Sequence, residues 1–290
     1  MRFQRPRAAV LGLIGAGALA GAAPLARAGA GADAPAAASA APPLARRAGS
    51  PVVLTPQQVA REYHEFYFTR GKYSEGGRGF RRGFGGGSWA TDWPKADQQF
   101  MVVLKRLVGI DNSPLDNAVD LADPELRRFP FLYILEVGEM YMTDAELLGL
   151  RSYLAAGGFL VVDDFWGPYE LANLERELGR LLPGKPLREL PLDHPLFNNV
   201  YDVSNVIQVP NVRTGQSHGM YGTPTHEGRG SEVPHVFGID DDRGELMVVA
   251  NWNTDIGDAW EWAENPYDPL KFSTYAFEIG VNMIVYAMSH

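Results

Sequence analysis

The chain has no cysteine among its 290 residues. That excludes disulfides, thiolate metal sites and a cysteine nucleophile, so the fold must be held by its core alone. Positive charge is also scarce. Lysine and arginine number 26 against 35 aspartates and glutamates, for a formal net charge of -9. Nucleic-acid binding needs a positive surface to meet phosphates, so nucleic acid is not an expected partner. There is no H-E-x-x-H, no P-loop and no internal repeat, and no cofactor is implied. The longest apolar run, Ala8 to Ala23, is short, rich in Gly and Ala and poor in Leu, which argues against a permanent membrane span.

What the N-terminus does have is the form of an export signal. Arg2, Arg5 and Arg7 make a basic start, the apolar run follows, and Ala26-Arg27-Ala28 is an A-x-A cleavage signal. Residues 1–28 are therefore read as a signal peptide of a periplasmic or secreted protein. Membrane contact is expected only through that segment if it is uncleaved. Its removal takes four arginines and no acid, and moves the formal charge from -9 to -13. Residues 29–50 are rich in Ala and Pro, lack hydrophobic periodicity and read as a disordered linker. Residues 51–290 read as one α/β domain.

Within that domain the spacing predicts a short helix over Gln57–Phe66, a strand over Phe66–Thr69 and a helix over Lys95–Val108. Between them, residues 71–88 hold eight glycines and form a basic, aromatic flap. Phe131–Glu136 is a continuous apolar run of strand length. Thr143 and Glu146 form a capping box that opens a helix with Leu147, Leu150 and Leu154 on one face. Gly157-Gly158 stops it, and the strand Phe159–Asp163 follows directly. Strand, helix and strand with short connections imply a parallel crossover. Further elements are predicted as a helix over Tyr169–Leu182, strands at Val206–Val209 and Leu246–Ala250, and a final helix over Thr274–Met288.

The strand ending in Asp163-Asp164-Phe165-Trp166-Gly167 marks the candidate site, because ligands bind beyond the carboxyl ends of such strands. Alternation places at most one of Asp163 and Asp164 in a crevice. Two close carboxylates could do acid/base work; the simpler reading is a helix cap plus hydrogen bonds to loop amides. Asp164 and His194, the latter in Asp193-His194-Pro195, are the catalytic candidates. The run Asn251 to Glu261 offers oxygens at alternate positions, as a hard cation requires, and Asn253, Asp255 and Asp258 are its ligand candidates, but its glycine and glutamate miss the EF-hand spacing. No metal is assigned on that pattern. His218, His226 and His235 lack zinc spacing. Ligand-binding candidates are Asp163, Asp164, Trp166, His194, Asn253, Asp255 and Asp258. The six tryptophans could offer a sugar-binding face or simply pack.

Several segments together resemble a known bacterial family: Phe68-Thr69-Arg70-Gly71, Trp89-Ala90-Thr91-Asp92-Trp93-Pro94-Lys95-Ala96-Asp97, Phe129-Pro130-Phe131-Leu132-Tyr133, Leu150 to Leu160, Asp163-Asp164, Asp193 to Phe197, Asn253 to Asp258 and Gly280 to His290. This pattern is similar to domain of unknown function 4159, over roughly Pro51 to His290. The resemblance implies a class I glutamine-amidotransferase-like fold, flavodoxin-like with three α/β/α layers and a mostly parallel sheet. In that superfamily a cysteine occupies the turn after a central strand. Here the turn carries Asp164-Phe165-Trp166, so cysteine-dependent glutamine hydrolysis is excluded. The expected function is a non-catalytic envelope module that binds a partner protein or small ligand. The alternatives are an envelope glycan or peptide hydrolase and a carbohydrate-binding module.

Overall fold

The computed structural model describes residues 64–76 and 87–290. The signal, the linker, residues 57–63 of the first expected helix and most of the glycine-rich flap lie outside the described residues.

Seven strands form one mixed sheet in the order β2-β1-β3-β4-β7-β6-β5. They are β1 (Thr69–Lys72), β2 (Asn117–Asp120), β3 (Phe131–Leu135), β4 (Phe159–Phe165), β5 (Arg188–Glu189), β6 (His235–Asp240) and β7 (Leu246–Trp252). The neighbours β2-β1-β3-β4-β7 all run parallel, and β6 is antiparallel to both β7 and β5. The helices are α1 (Lys95–Val108), α2 (Asp144–Ala155), α3 (Gly167–Leu181), α4 (Val212–Tyr221), α5 (Ile256–Glu261) and α6 (Leu270–Ser289).

Side-chain alternation along the central strands explains the layering. Phe131, Tyr133, Phe159 and Val161 join a core with Phe100 and Leu104 of α1 and Phe272 and Ile279 of α6. Leu132, Ile134, Leu160 and Val162 join a second core with Leu150 of α2 and Leu174 and Leu178 of α3. Both faces of β3 and β4 are thus covered, which is why these strands are apolar throughout. The chain has a three-layer α/β fold. Its strand order starts 2-1-3-4, and the direction of chain progression reverses between β1 and β3, the place where such sheets open a crevice.

The βαβ unit forms as its sequence predicts. Thr143 Oγ1 accepts from the Glu146 amide, and Glu146 accepts from the Thr143 amide at 2.7 Å. Gly157 takes φ 91, a conformation that costs glycine little, and releases the chain into β4. On α2 itself, Gly149 packs against the backbone that follows β2, at Leu121 and Ala122. A β-carbon there would lie inside the van der Waals shell of the Leu121 carbonyl oxygen. Gly149→Ala should therefore cost about 1–3 kcal/mol, the usual range for overpacking, measured as a lower urea midpoint with an unchanged slope.

Four expectations need correction. The first strand starts at Thr69, not Phe66, because Phe66 makes only an isolated bridge to Asn112. Val206–Val209 is not a strand: Val209 is pinned across the end of β7, its amide donating to Thr254 Oγ1 and its carbonyl accepting from the Asp255 amide. The long connection before β7, whose length and Gly, His and Pro content suggest a functional loop or an excursion, contains α4 and β6. The last helix begins at Leu270, four residues earlier than expected.

Candidate functional site

The carboxyl ends of β1, β3, β4 and β7 meet beneath the loop that leads into α1. Arg70 on β1 builds this corner. Its side chain is fully buried, and it donates to Asp97 through Nε and Nη2, the latter at 2.7 Å. Its Nη1 donates to the carbonyls of Thr91 at 2.8 Å and Trp89 at 3.4 Å. One guanidinium therefore neutralises Asp97 and ties down the loop that presents Asp92.

Among the described residues, four non-glycine positions have positive φ, and all four surround this corner: Asp92 (59°), Glu136 (55°), Asp164 (48°) and Asn253 (60°). Asp and Asn enter this region more readily than other residues, and clusters of such backbone mark functional sites. At Asp164 the pairing of β4 with β7 slips between Val162 and Phe165, so the strand bulges. The bulge separates the two neighbouring carboxylates. Asp163 turns to the α5 side, and its Oδ2 accepts from the Tyr133 hydroxyl and from the Ile256 and Gly257 amides at 3.0 and 3.1 Å. Asp164 is left in the crevice, with its Oδ1 accepting from the Trp166 indole at 2.9 Å.

The result is a concentration of buried acid. One carboxylate oxygen each from Asp92, Asp164 and Asp255 lie within 4.8 Å of one another, and Asp92, Asp258 and Glu261 make a second such group. Gly257 makes room for it: a β-carbon there would meet Asp92 Oδ2 at 2.9 Å and the Tyr133 hydroxyl at 3.1 Å. Burial pushes Asp164 well above the ordinary carboxylate range, with Glu136 and Asp92 adding to it and the Trp166 indole opposing. Asp255 is pushed well up by burial, then by Asp164, Asp258 and Asp92. Asp92 is likewise well raised by burial and Asp258, against the pull of Arg70. Asp258 is raised by burial, although the Val212 amide holds its Oδ2 at 2.6 Å. Asp163 rises to about 6 from burial, restrained by its hydroxyl and amide donors.

Backbone donors offset some of this charge. The first amides of α5 point at Asp163, the first amide of α4 points at Asp258, and Asp255 caps α5 by accepting from the Asp258 amide at 2.9 Å. Helix N-termini favour anions in this way. Side-chain cations contribute less. Arg70 is committed to Asp97, and Lys95 sits 3.9 Å from Glu261 with its ammonium over the Trp262 ring.

Of the residues singled out from sequence, Asp164, Asp255 and Asp258 join the cluster and Trp166 bonds to Asp164, while Asp163 is held beside it by the Tyr133 hydroxyl and the first amides of α5. Asn253 is nearby but committed elsewhere: its Oδ1 accepts from the Gly167 amide and its Nδ2 donates to the Val233 carbonyl. His194 is not brought to the cluster. Its ring lies 6.0 Å from that of Tyr286, whose hydroxyl accepts from the Leu246 amide at the start of β7. Asp164 lies beside the far end of the same strand, about 20 Å away at ~3.3 Å per residue. His194 Nδ1 accepts from the Leu196 amide, and burial and Arg188 lower its pKa, so it acts as a turn cap. His218 bonds the Thr223 carbonyl and His235 pairs with Glu189, so the three loop histidines serve different places. Several indoles are engaged internally: Trp260 donates to the Ala276 carbonyl, Trp252 to that of Gly167, and the rings of Trp89 and Trp93 pack tilted against each other.

Asp92 and Glu261 were not among the sequence candidates. Asp92 stands in the Trp89–Asp97 motif, so that run of Trp, Asp and Pro was its only signal. The sequence also contains G-x-S-x-G spacing at Gly215-Gln216-Ser217-His218-Gly219. A nucleophile needs that motif on a strand-to-helix turn, whereas here it lies inside α4.

A family model described as "Domain of unknown function (DUF4159)" matches residues 79–288. The chain belongs to that family. A search of curated proteins found no match. Among the described residues, no helix is long and apolar enough to cross a membrane.

Proposed function

We propose that this member of the family is an exported, non-catalytic binding module whose strand-end crevice takes a positively charged ligand. The observation that carries this reading is the convergence of half-buried Asp92 with buried Asp164, Asp255 and Asp258, without matching side-chain cations among the described residues. Isolated buried carboxylates are costly, and a cation of suitable size would relieve that cost. The amidotransferase-like resemblance supports a binding role from another direction. The turn that would carry a nucleophilic cysteine carries Asp164 in a left-handed conformation, and the chain has no cysteine. Export rests on the basic, apolar and A-x-A pattern of the first 28 residues. A hydrolase that couples Asp164 to His194 has no support, because the two residues lie at opposite ends of β7.

The test is a thermal-shift comparison of wild type with Asp164→Asn/Asp255→Asn. The panel contains divalent metals, polyamines and basic peptides, set against phosphate and neutral glycans. At least one cation class should raise the wild-type Tm and leave the double variant unmoved. A rise with neutral glycans that survives the double substitution would overturn the reading, as would turnover of any substrate by the wild type.

A further inference from the structure

We infer that the crevice is a binding site for a calcium-class divalent cation, ligated by Asp92, Asp164 and Asp255. This rests on the reading of the crevice as a site for positive charge and specifies what fills it. Calcium takes oxygen ligands at about 2.3–2.6 Å, so two oxygens on opposite sides of one ion are about 5 Å apart. The three carboxylate oxygens lie within 4.8 Å of one another and can therefore all reach a single ion. Magnesium binds at about 2.0–2.1 Å, keeps several waters and typically uses one or two carboxylates. A site offering three carboxylates from the protein itself suits the larger ion better.

A second observation points to a ligand. Asp92 Oδ2 is closed to solvent and accepts no hydrogen bond. Asp164 and Asp255 are 7% and 4% exposed, and each accepts a side-chain-directed hydrogen bond at Oδ1 only. All three carboxylates thus keep an oxygen available while their orientation is fixed. The Trp166 indole fixes Asp164, the Asp258 amide fixes Asp255, and the Arg70-anchored loop fixes Asp92. Outer donors of this kind hold ligands in place before the metal arrives. Asp258 and Glu261 form the second group around Asp92 and can add ligands or hold an accompanying ion. The competing occupant is a proton shared among the carboxylates.

The experiment uses the full chain, stripped with EDTA and dialysed at pH 7.5. Isothermal titration with calcium chloride should show binding with Kd at or below about 1 mM, the weak end of extracellular calcium modules. Magnesium chloride should bind at least tenfold more weakly. Terbium, a calcium-sized probe, should give indole-sensitised emission that Trp166→Phe reduces. Asp92→Asn and Asp164→Asn should each weaken calcium at least tenfold, while Asp193→Asn, beside His194 and far from the cluster, should not. Two variants are used so that a folding defect in one does not decide the result, and circular dichroism checks both. No calcium binding at 10 mM, with the Tm still raised by spermidine through Asp164, would overturn the metal assignment and leave the cationic-ligand reading standing. A wild-type Tm insensitive to metals, amines and basic peptides alike would overturn both.

Discussion

Arg70→Met is expected to cost about 3–5 kcal/mol of folding stability, the range for removing one partner of a buried ion pair. The reason is what remains. Asp97 is 3% exposed and would lose the fork that satisfies it, leaving a buried carboxyl that must stay ionised without a partner or take up a proton, both at a cost. The carbonyls of Trp89 and Thr91 would lose their donors as well. For a domain of this size, about 2–4 °C of Tm follows each kcal/mol, so the midpoint should fall by roughly 6–20 °C. Arg70→Met/Asp97→Leu should recover much of that loss, since replacing both partners of a buried pair with apolar groups is often near neutral. The double variant should still lose the cation response of the site, because Asp92 no longer sits on an anchored loop. Urea denaturation checks the first part and calcium titration the second. A single-variant cost below 1 kcal/mol would show that the pair is not what holds this corner.

The metal-free protein should lose stability as pH rises from about 5 to 8. Asp163 has a folded pKa of about 6, above the ordinary 3.8, so the folded state binds more protons than the unfolded state between those values. Stability is then greatest below the unfolded pKa and declines as pH passes through the folded one. A shift of this size amounts to about 3 kcal/mol. Asp92, Asp164 and Asp255 are displaced in the same direction by burial and by one another, and extend the decline to higher pH. About half of the Asp163 contribution is lost above pH 5, so in EDTA it alone should lower the Tm by about 3–6 °C between pH 5 and 8 at the conversion used above, and the other three carboxylates add to that. Asp164→Asn should flatten the profile and raise the Tm at pH 8, because asparagine keeps the shape, tolerates φ 48 and removes one charge. A Tm that rises from pH 5 to 8 in EDTA would contradict the arrangement of charges described here.

Much of the fold could be read from the sequence where local and tertiary signals agree. Lys95–Val108 forms its helix at the expected bounds, with Gly109 at φ 72 ending it. The Thr143 box, Gly157 and the two apolar strands also behave as expected. The misses share a physical cause. Asn117-Ala118-Val119-Asp120 is too short and polar at both ends to stand out, yet its ladder with β1 makes it a strand. Val212–Tyr221 contains two glycines, which oppose a helix in isolation. Tertiary packing reverses that. Gly215 lies against Asp268 and Gly219 against the Tyr267 carbonyl and Pro269, where side chains would not fit.

The site divides in the same way. Asp163-Asp164 could be found because it ends a buried strand. Which of the pair enters the crevice could not, because strict alternation does not foresee a bulge with a left-handed residue. Asp92 lies 72 positions before Asp164 on an irregular loop, so only the folded chain shows that they meet. The acid cluster is therefore a product of topology. The loop into α1 supplies Asp92, the end of β4 supplies Asp164, and the segment after β7 supplies Asp255, Asp258 and Glu261, so no single segment announces a metal loop.

The left-handed backbone at Asp92, Asp164 and Asn253 has an evolutionary consequence. Aspartate and asparagine are both comfortable there, and their codons differ by one base. Charge can therefore be removed at Asp92 or Asp164 in one mutational step with the backbone conformation kept, whereas Asn253 is held as an amide by its bond to the Val233 carbonyl. Relatives carrying neutral amides would keep the architecture while losing the demand for a cation.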